Sequence, residues 1–154
     1  DHSHNIMFGP PLPPGTPAPD FTAPDHRSNP VRLSALRGFS VVLVFYPGDD
    51  TRVTSQLGRI ADRYPEFQAA NAVVYGVNPA SASSHARFAE KLSLPFPLLV
   101  DPGGRIARVY RSGFWRIVRR TVYVISPEGT IAAAWRGDPP VDAVLRALGR
   151  TTPE

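Results

Sequence analysis

The sequence predicts an α/β domain in which a mixed, mainly parallel sheet is flanked by helices. Continuous apolar runs at 41–45 and 72–77 have the composition of strands that are buried on both faces. Amphipathic segments follow each run, and alternating strands and helices favour a parallel sheet with helices packed on its faces. A later pair of strand-like segments, joined by a short turn, predicts antiparallel strands in the same sheet.

The N-terminal part is predicted to form an arm and a small hairpin. Residues 1–19 are rich in proline and glycine, so we expect an extended arm, and we place the domain itself at 20–150. Short apolar–polar alternations at 20–23 and 31–33 predict an N-terminal β-hairpin. The segment 34–38 begins with serine and ends with glycine, which predicts one helical turn.

The remaining elements follow from apolar spacing and from turn residues. Helices are predicted at 54–70, with a kink at Pro65, and at 81–92, 106–110 and 140–148. Short strands are predicted at 97–100, 121–125 and 130–135, with turns at 101–104 and 126–129.

Composition narrows the possible functions. The 154 residues suit one domain, and no apolar run reaches the roughly 18–20 residues that a membrane span needs. With no cysteine and four scattered histidines, we expect neither disulfides nor a metal site. We see no signal-peptide pattern and expect a cytoplasmic protein without a membrane partner. The net charge of +4 comes mainly from dispersed arginines.

The segment after the first buried strand carries the most specific pattern. Residues 45–57 read FYPGDDTRVTSQL. This segment resembles the active-site loop of peroxiredoxins of the bacterioferritin-comigratory (PrxQ-like) group, F-Y-P-x-D-D-T-P-x-C-T-x-Q-L. Weaker similarities to the same family follow in the family's order, and together they cover most of the chain: GTPAPDF at 15–21, LSALRG at 33–38, SHARFA at 84–89, LPFPLLVD at 94–101 and RTVYVI at 120–125.

The resemblance implies a fold and an activity. The fold would be thioredoxin-like, with the additional N-terminal hairpin of peroxiredoxins. The activity would be a thiol-dependent peroxidase that reduces hydrogen peroxide or organic hydroperoxides through a cysteine sulfenic acid, without a metal or prosthetic group. Thioredoxin or another thiol would be the reductant. With Gly58 where many members carry a resolving cysteine, the protein would be a one-Cys enzyme, either a monomer or a homodimer.

The resemblance also assigns roles to residues around the loop. Thr51 would hydrogen-bond the reacting peroxide oxygen, while Val53 and Thr54 would flank the nucleophile at a helix start. Backbone N–H groups and the helix dipole favour an anion there. Arg120 would lower the thiol pKa and hold the peroxide. Arg119, the preceding residue, is the alternative candidate. Neighbouring residues of a strand face opposite sides, so only one of the two arginines can point at the pocket.

Two further positions belong to the implied site. Tyr46 and Pro47 would shape the pocket entrance, although the same residues could simply be core and turn. Arg52 stands where the family commonly has proline, which would add positive charge beside the site.

The nucleophile itself is missing, since no cysteine stands between Val53 and Thr54. One explanation is a modified cysteine that a one-letter sequence does not show, because one added residue brings both flanks into register. A second is direct replacement by Thr54, whose hydroxyl would need an activating base that the loop lacks. The third is a natural homologue that is not catalytic.

Two other classes of function are compatible with the sequence. A thioredoxin-fold binding module without catalysis is the alternative if the cysteine is truly absent. Arginines and aromatic residues at 111–120 are interleaved in a way that could grip phosphates and stack bases. The segment is short, however, and is more simply a loop over the active site, so we expect no nucleic-acid partner.

Overall fold

The computed structural model describes residues 9–49 and 54–151. Nine short strands are present in this part of the chain: β1 (Thr22–Pro24), β2 (Pro30–Arg32), β3 (Ser40–Phe45), β4 (Ala72–Asn78), β5 (Leu98–Val100), β6 (Gly113–Phe114), β7 (Ile117–Val118), β8 (Thr121–Ile125) and β9 (Ile131–Arg136). Its α-helices are α1 (Thr54–Asp62), α2 (Tyr64–Ala69), α3 (Ala82–Leu92), α4 (Arg105–Val109) and α5 (Val141–Thr151), with 3-10 turns at Leu33–Leu36 and Pro102–Gly104.

The central sheet has five strands in the order β5-β4-β3-β8-β9. β3 pairs in parallel with β4, and β4 with β5, whereas β8 runs antiparallel to both β3 and β9. β1 and β2 form the separate N-terminal hairpin. The predicted α/β architecture, with a mixed sheet and an N-terminal hairpin, is therefore confirmed.

Alternate residues of β3 supply two separate cores. Val42 and Val44 point to the face that α1, α2, α3 and α5 cover, and Val41, Leu43 and Phe45 point to the opposite face. All five side chains are buried, as expected for a strand with both faces covered. The second face is covered by α4, the N-terminal hairpin and the arm rather than by long helices.

The described part of the arm, 9–19, packs against the domain. The Leu12 side chain is buried, and its backbone N–H donates to the Tyr123 hydroxyl at 3.0 Å. The Gly15 N–H donates to the Ile131 carbonyl at 2.8 Å, so the arm runs beside the edge strand β9. The arm also contains a turn, in which the Thr16 N–H donates to the Pro13 carbonyl at 3.2 Å. Proline-rich composition gave no signal of the docking.

The predicted helix over 54–70 is broken into α1 and α2. Arg63 leaves the helical region, with φ −112° and ψ 16°, and Pro65 lies in the first turn of α2. Proline has no N–H to give to a preceding carbonyl but is tolerated at a helix start. The helix therefore ends at Asp62 and the break falls at Arg63, two residues before the proline. The prediction had placed a kink at Pro65 itself.

The segment before β8 corrects one prediction. Residues 113–118, expected as part of a loop, form the hairpin β6–β7, in which Phe114 faces Ile117. Trp115 occupies the turn with φ +59°. Such a φ is usually taken by glycine, asparagine or aspartate, so tryptophan gave no signal of a turn. Within 9–49 and 54–151, none of the helices is long and apolar enough to cross a membrane.

Candidate active site

The loop from β3 to α1 is the candidate site, and the structure describes both of its ends. Thr51, Arg52 and Val53 lie outside the described residues, so their predicted roles stay predictions. Thr54 is the first residue of α1, at the helix start where the sequence placed it, although its side chain also lies outside the description.

Arg120 contacts the first turns of α1. Its Nη1 donates to Oε1 of Gln56 at 2.8 Å, and Gln56 is almost fully buried. Arg120 directly precedes β8, whose Thr121 pairs with Phe45 at the end of β3. The antiparallel register therefore brings the arginine to the end of the sheet where the loop leaves β3. A guanidinium beside a helix N-terminus favours a bound anion or a thiolate.

Arg119 is held differently. Its N–H donates to the Ser112 carbonyl at 2.8 Å, and its own carbonyl accepts from the Thr121 hydroxyl at 2.9 Å. These bonds attach the backbone of Arg119 to Ser112, just before the β6–β7 hairpin, and to the first residue of β8. The contact with α1 is made by Arg120, which supports the choice of Arg120 over its neighbour.

The Tyr46 side chain lies in the core and not at an exposed pocket entrance. Its side chain has no exposed surface, and its ring stacks on Phe88 with the centroids 6.1 Å apart. The hydroxyl donates to Oδ1 of Asp49 at 2.7 Å. Burial, together with the charge and hydrogen bond of Asp49, raises the phenol pKa far above its usual value. Pro47, the next residue, is exposed.

Asp49 is the acceptor at the centre of a buried network. Its carboxylate receives hydrogen bonds from Tyr46 Oη, from Ser84 Oγ at 2.7 Å and from His85 Nδ1 at 2.6 Å. Burial alone would raise the pKa of this carboxyl, but the bonds from His85, Tyr46 and Ser84 outweigh it and lower the pKa below 3.8. Asp49 is therefore a carboxylate at neutral pH.

His85 connects the network to the sheet. The ring is fully buried, and its Nε2 faces the carbonyls of Asn78 at 3.1 Å and Leu99 at 3.0 Å. Both ring nitrogens therefore face hydrogen-bond acceptors. Asn78 closes the network, because its Nδ2 donates to the Tyr46 carbonyl at 2.9 Å.

The sequence did not single out Asp49, His85 or Gln56 as members of the site. Asp49 and His85 are 36 residues apart, and a histidine on an amphipathic helix has no local feature that marks its partner. The only signal for these residues in the sequence was that they lie in segments that resemble the family, Asp49 and Gln56 in 45–57 and His85 in 84–89. In the described part of the chain, no group of three or more His, Cys, Asp or Glu side chains could hold a metal ion.

Fold and site together define the class of protein. A mixed sheet flanked by helices, an N-terminal hairpin and an arginine against the helix that follows β3 are features of thioredoxin-like peroxiredoxins. Residues 14–134 match the AhpC/TSA family. The chain belongs to this family, within the group whose members are named peroxiredoxin Q or Bcp.

Relatives of known name cover most of the chain. It is 34% identical over 142 residues to Peroxiredoxin Q, chloroplastic, from Sedum lineare, across 87% of this chain and 76% of that protein. It is 32% identical over 145 residues to Peroxiredoxin Bcp from Bacillus subtilis, across 87% of this chain and 91% of that protein. It spans only 56% of Peroxiredoxin Q, chloroplastic, from Oryza sativa subsp. japonica, at 36% identity and 76% of this chain.

Solved structures agree with the fold. Peroxidoxin BcpB from Mycobacterium tuberculosis matches with a TM-score of 0.83 and 27% identity, over 90% of this chain and 97% of that one. The bacterioferritin comigratory protein of Xanthomonas campestris matches with a TM-score of 0.81 and 26% identity, over 92% of this chain and 100% of that one. The predicted thioredoxin-like peroxiredoxin fold is therefore confirmed.

Proposed function

We propose that this protein is a thiol peroxidase that reduces hydrogen peroxide or organic hydroperoxides, with its nucleophile a cysteine between Val53 and Thr54. The observation that supports this most directly is the bond from Arg120 to Gln56 at the start of α1. It places a cation beside the helix N-terminus where the family motif has its thiolate.

The surroundings of the missing residue support an intact site. The buried network of Tyr46, Asp49, Ser84 and His85 still fixes the start of the loop. One residue added between Val53 and Thr54 restores the spacing of the family motif on both sides. We therefore favour a cysteine in a modified form, such as an oxidised one, over loss of the site.

In the proposed reaction, the thiolate attacks one peroxide oxygen. An S–O bond forms and the O–O bond breaks, which leaves a sulfenic acid and releases water or an alcohol once the leaving oxygen takes a proton. Arg120 and the N–H groups at the start of α1 would stabilise negative charge on that oxygen. A reductant thiol would then expel water and form a mixed disulfide, which a second thiol would reduce.

The partners follow from the same proposal. The reductant would be thioredoxin or another thiol of the cytoplasm, and the enzyme would be of the one-Cys type. Gly58 has open space around the position of a Cβ atom, and the printed sequence carries no second cysteine to form an internal disulfide.

Replacement of the nucleophile by Thr54 is disfavoured by the site. A hydroxyl needs a general base. His85 is the histidine that contacts the described start of the loop, and both of its nitrogens are already engaged.

The first test is the mass of the tryptic peptide between Arg52 and Arg59. We expect a peptide heavier than Val53-Thr54-Ser55-Gln56-Leu57-Gly58-Arg59 by one cysteine residue, with or without added oxygens. A peptide of that composition and no more would overturn the proposal. If the peptide is heavier, peroxide consumption is then compared between the native protein and a variant in which serine replaces that cysteine. Only the native protein, after reduction by a thiol, should consume peroxide.

The second candidate is a binding module without catalysis, and the absence of cysteine from the printed sequence favours it. It would be supported if the peptide has no added residue and the native protein consumes no peroxide. A variant with cysteine inserted after Val53 would then show whether the scaffold retains the chemistry.

A further inference from the structure

The β6–β7 hairpin and the end of α4 expose a group of large apolar side chains, here called the hairpin patch. Trp115 is 71% exposed, which is unusual for the largest apolar side chain. The patch consists of Val109, Phe114, Trp115 and Ile117, each at least 45% exposed. Contiguous exposed apolar residues of this kind mark interaction sites more often than isolated ones do.

Exposed arginines lie in the same stretch of chain as the hairpin patch. Arg105, Arg108, Arg111 and Arg116 are all exposed, and Arg108 lies over the Phe114 ring at 5.9 Å from its centroid. The sequence has no Asp or Glu from 102 to 127. Asp101, just before this stretch, is buried and accepts the N–H groups of the first residues of α4. The charges that this stretch itself exposes are therefore of one sign.

The backbone of the hairpin is fixed although its tip is exposed. Gly104, with φ +68°, lies so close to Trp115 that a Cβ atom there would clash with the Trp115 carbonyl oxygen. Trp115 itself has φ +59°, a conformation that costs a bulky residue free energy. The turn thus exposes an indole to solvent at a position where glycine or asparagine would cost less conformational free energy.

We propose that the hairpin patch binds an anionic membrane surface. Tryptophan and other large apolar side chains are stabilised at the lipid–water interface, and arginines around them are attracted by anionic head groups. Binding of this kind needs no complementary shape, so a patch of four side chains from the hairpin and the end of α4 is enough. It also needs no membrane-spanning segment, and it does not depend on the nucleophile of the proposed peroxidase.

Other occupants fit the patch less well. A second copy of the chain would bring arginine-rich surfaces together, because a symmetric dimer places the same patch on both partners. A stable protein partner would need about 20–30 residues on each side. A nucleic acid would gain little from Val109 and Ile117, since stacking requires flat rings or guanidinium planes.

The test uses the tryptophan that lies in the patch. Trp135→Phe leaves Trp115 as the single tryptophan, and its emission is measured with vesicles of phosphatidylcholine alone or mixed with phosphatidylglycerol. We expect a blue shift only with the anionic vesicles, and its loss when salt is raised from about 0.1 M to 1 M. Sedimentation with the same vesicles gives the partition coefficient of the wild type and of each variant.

Matched variants separate the patch from general positive charge. Trp115→Ala should lower the partition coefficient about tenfold or more. Arg116→Gln should lower it about fivefold. Arg87→Gln, an exposed arginine on α3, removes the same charge elsewhere and should have a smaller effect.

Three results would overturn the proposal. The first is that the protein does not bind the anionic vesicles. The second is that Arg116→Gln and Arg87→Gln lower the partition coefficient equally. The third is that Trp115 emission shifts with poly-glutamate or a single-stranded oligonucleotide but not with vesicles. The last result would assign the patch to an acidic protein or a nucleic acid.

Discussion

His85 Nδ1 lies 2.6 Å from Oδ2 of Asp49, and the two side chains are 0% and 4% exposed. This contact joins α3 to the loop that leads from β3 into α1. A buried pair of this kind adds little net stability when complete, but removal of one partner is costly because the other is left uncompensated. The pair therefore fixes the position of the loop more than it stabilises the fold.

Asp49→Asn is predicted to destabilise the protein by about 3–5 kcal/mol, since it breaks a buried charged network. The free energy of unfolding measured in urea at neutral pH gives this cost. The matched control is Asp20→Asn, which removes a half-exposed carboxylate paired with Arg32 at 3.4 Å. The control should cost about 0–1 kcal/mol, and equal costs for both variants would contradict a special role of the buried pair.

The same substitution gives a prediction for acid pH. Because the folded-state pKa of Asp49 lies below its ordinary value of 3.8, its ionised form stabilises the fold above that value. This contribution is lost as the pH falls through the folded pKa. The difference in unfolding free energy between wild type and Asp49→Asn should therefore shrink as the pH falls below 3.8. A difference that stays constant down to the acid transition would contradict the prediction.

The parts of the fold that sequence predicted are those with local causes. The run 41–45 is apolar at every position, which is sufficient to identify a strand buried on both faces. Ser81 caps α3, and its Oγ accepts the Ser84 N–H at 3.2 Å, as its place before an amphipathic segment indicated.

The parts that sequence missed depend on distant partners. The Leu12 N–H and its acceptor, the Tyr123 hydroxyl, are 111 residues apart, so docking of the arm has no local signal. Arg120 was chosen over Arg119 by resemblance alone. The register of β8 on β3 supplies the physical reason, because it carries Arg120 to the side of α1.

Arg120 is predicted to matter for peroxide reduction in the cysteine-containing protein, and this prediction rests on the proposed function. Arg120→Ala should lower kcat/KM by about 10²–10³, as expected for loss of a donor to developing charge. Arg120→Lys should restore only part of the activity, since an ammonium cannot reproduce the guanidinium geometry. Arg119→Ala is the neighbouring control and should change kcat/KM only slightly. Similar losses for both alanine variants would mean that overall positive charge, not the contact with α1, is responsible.

Gly103 and Gly104 form a matched pair that tests how the hairpin is held. Both have positive φ, +71° and +68°, but a Cβ atom at Gly103 would meet open space, whereas one at Gly104 would meet the Trp115 carbonyl. Gly103→Ala should therefore cost about 1–2 kcal/mol from backbone strain alone. Gly104→Ala should cost more and should also displace the β6–β7 turn. Urea unfolding gives the two costs, and the emission of Trp115 in a Trp135→Phe background reports the displacement. Equal costs with unchanged emission would show that the turn is not held by this contact.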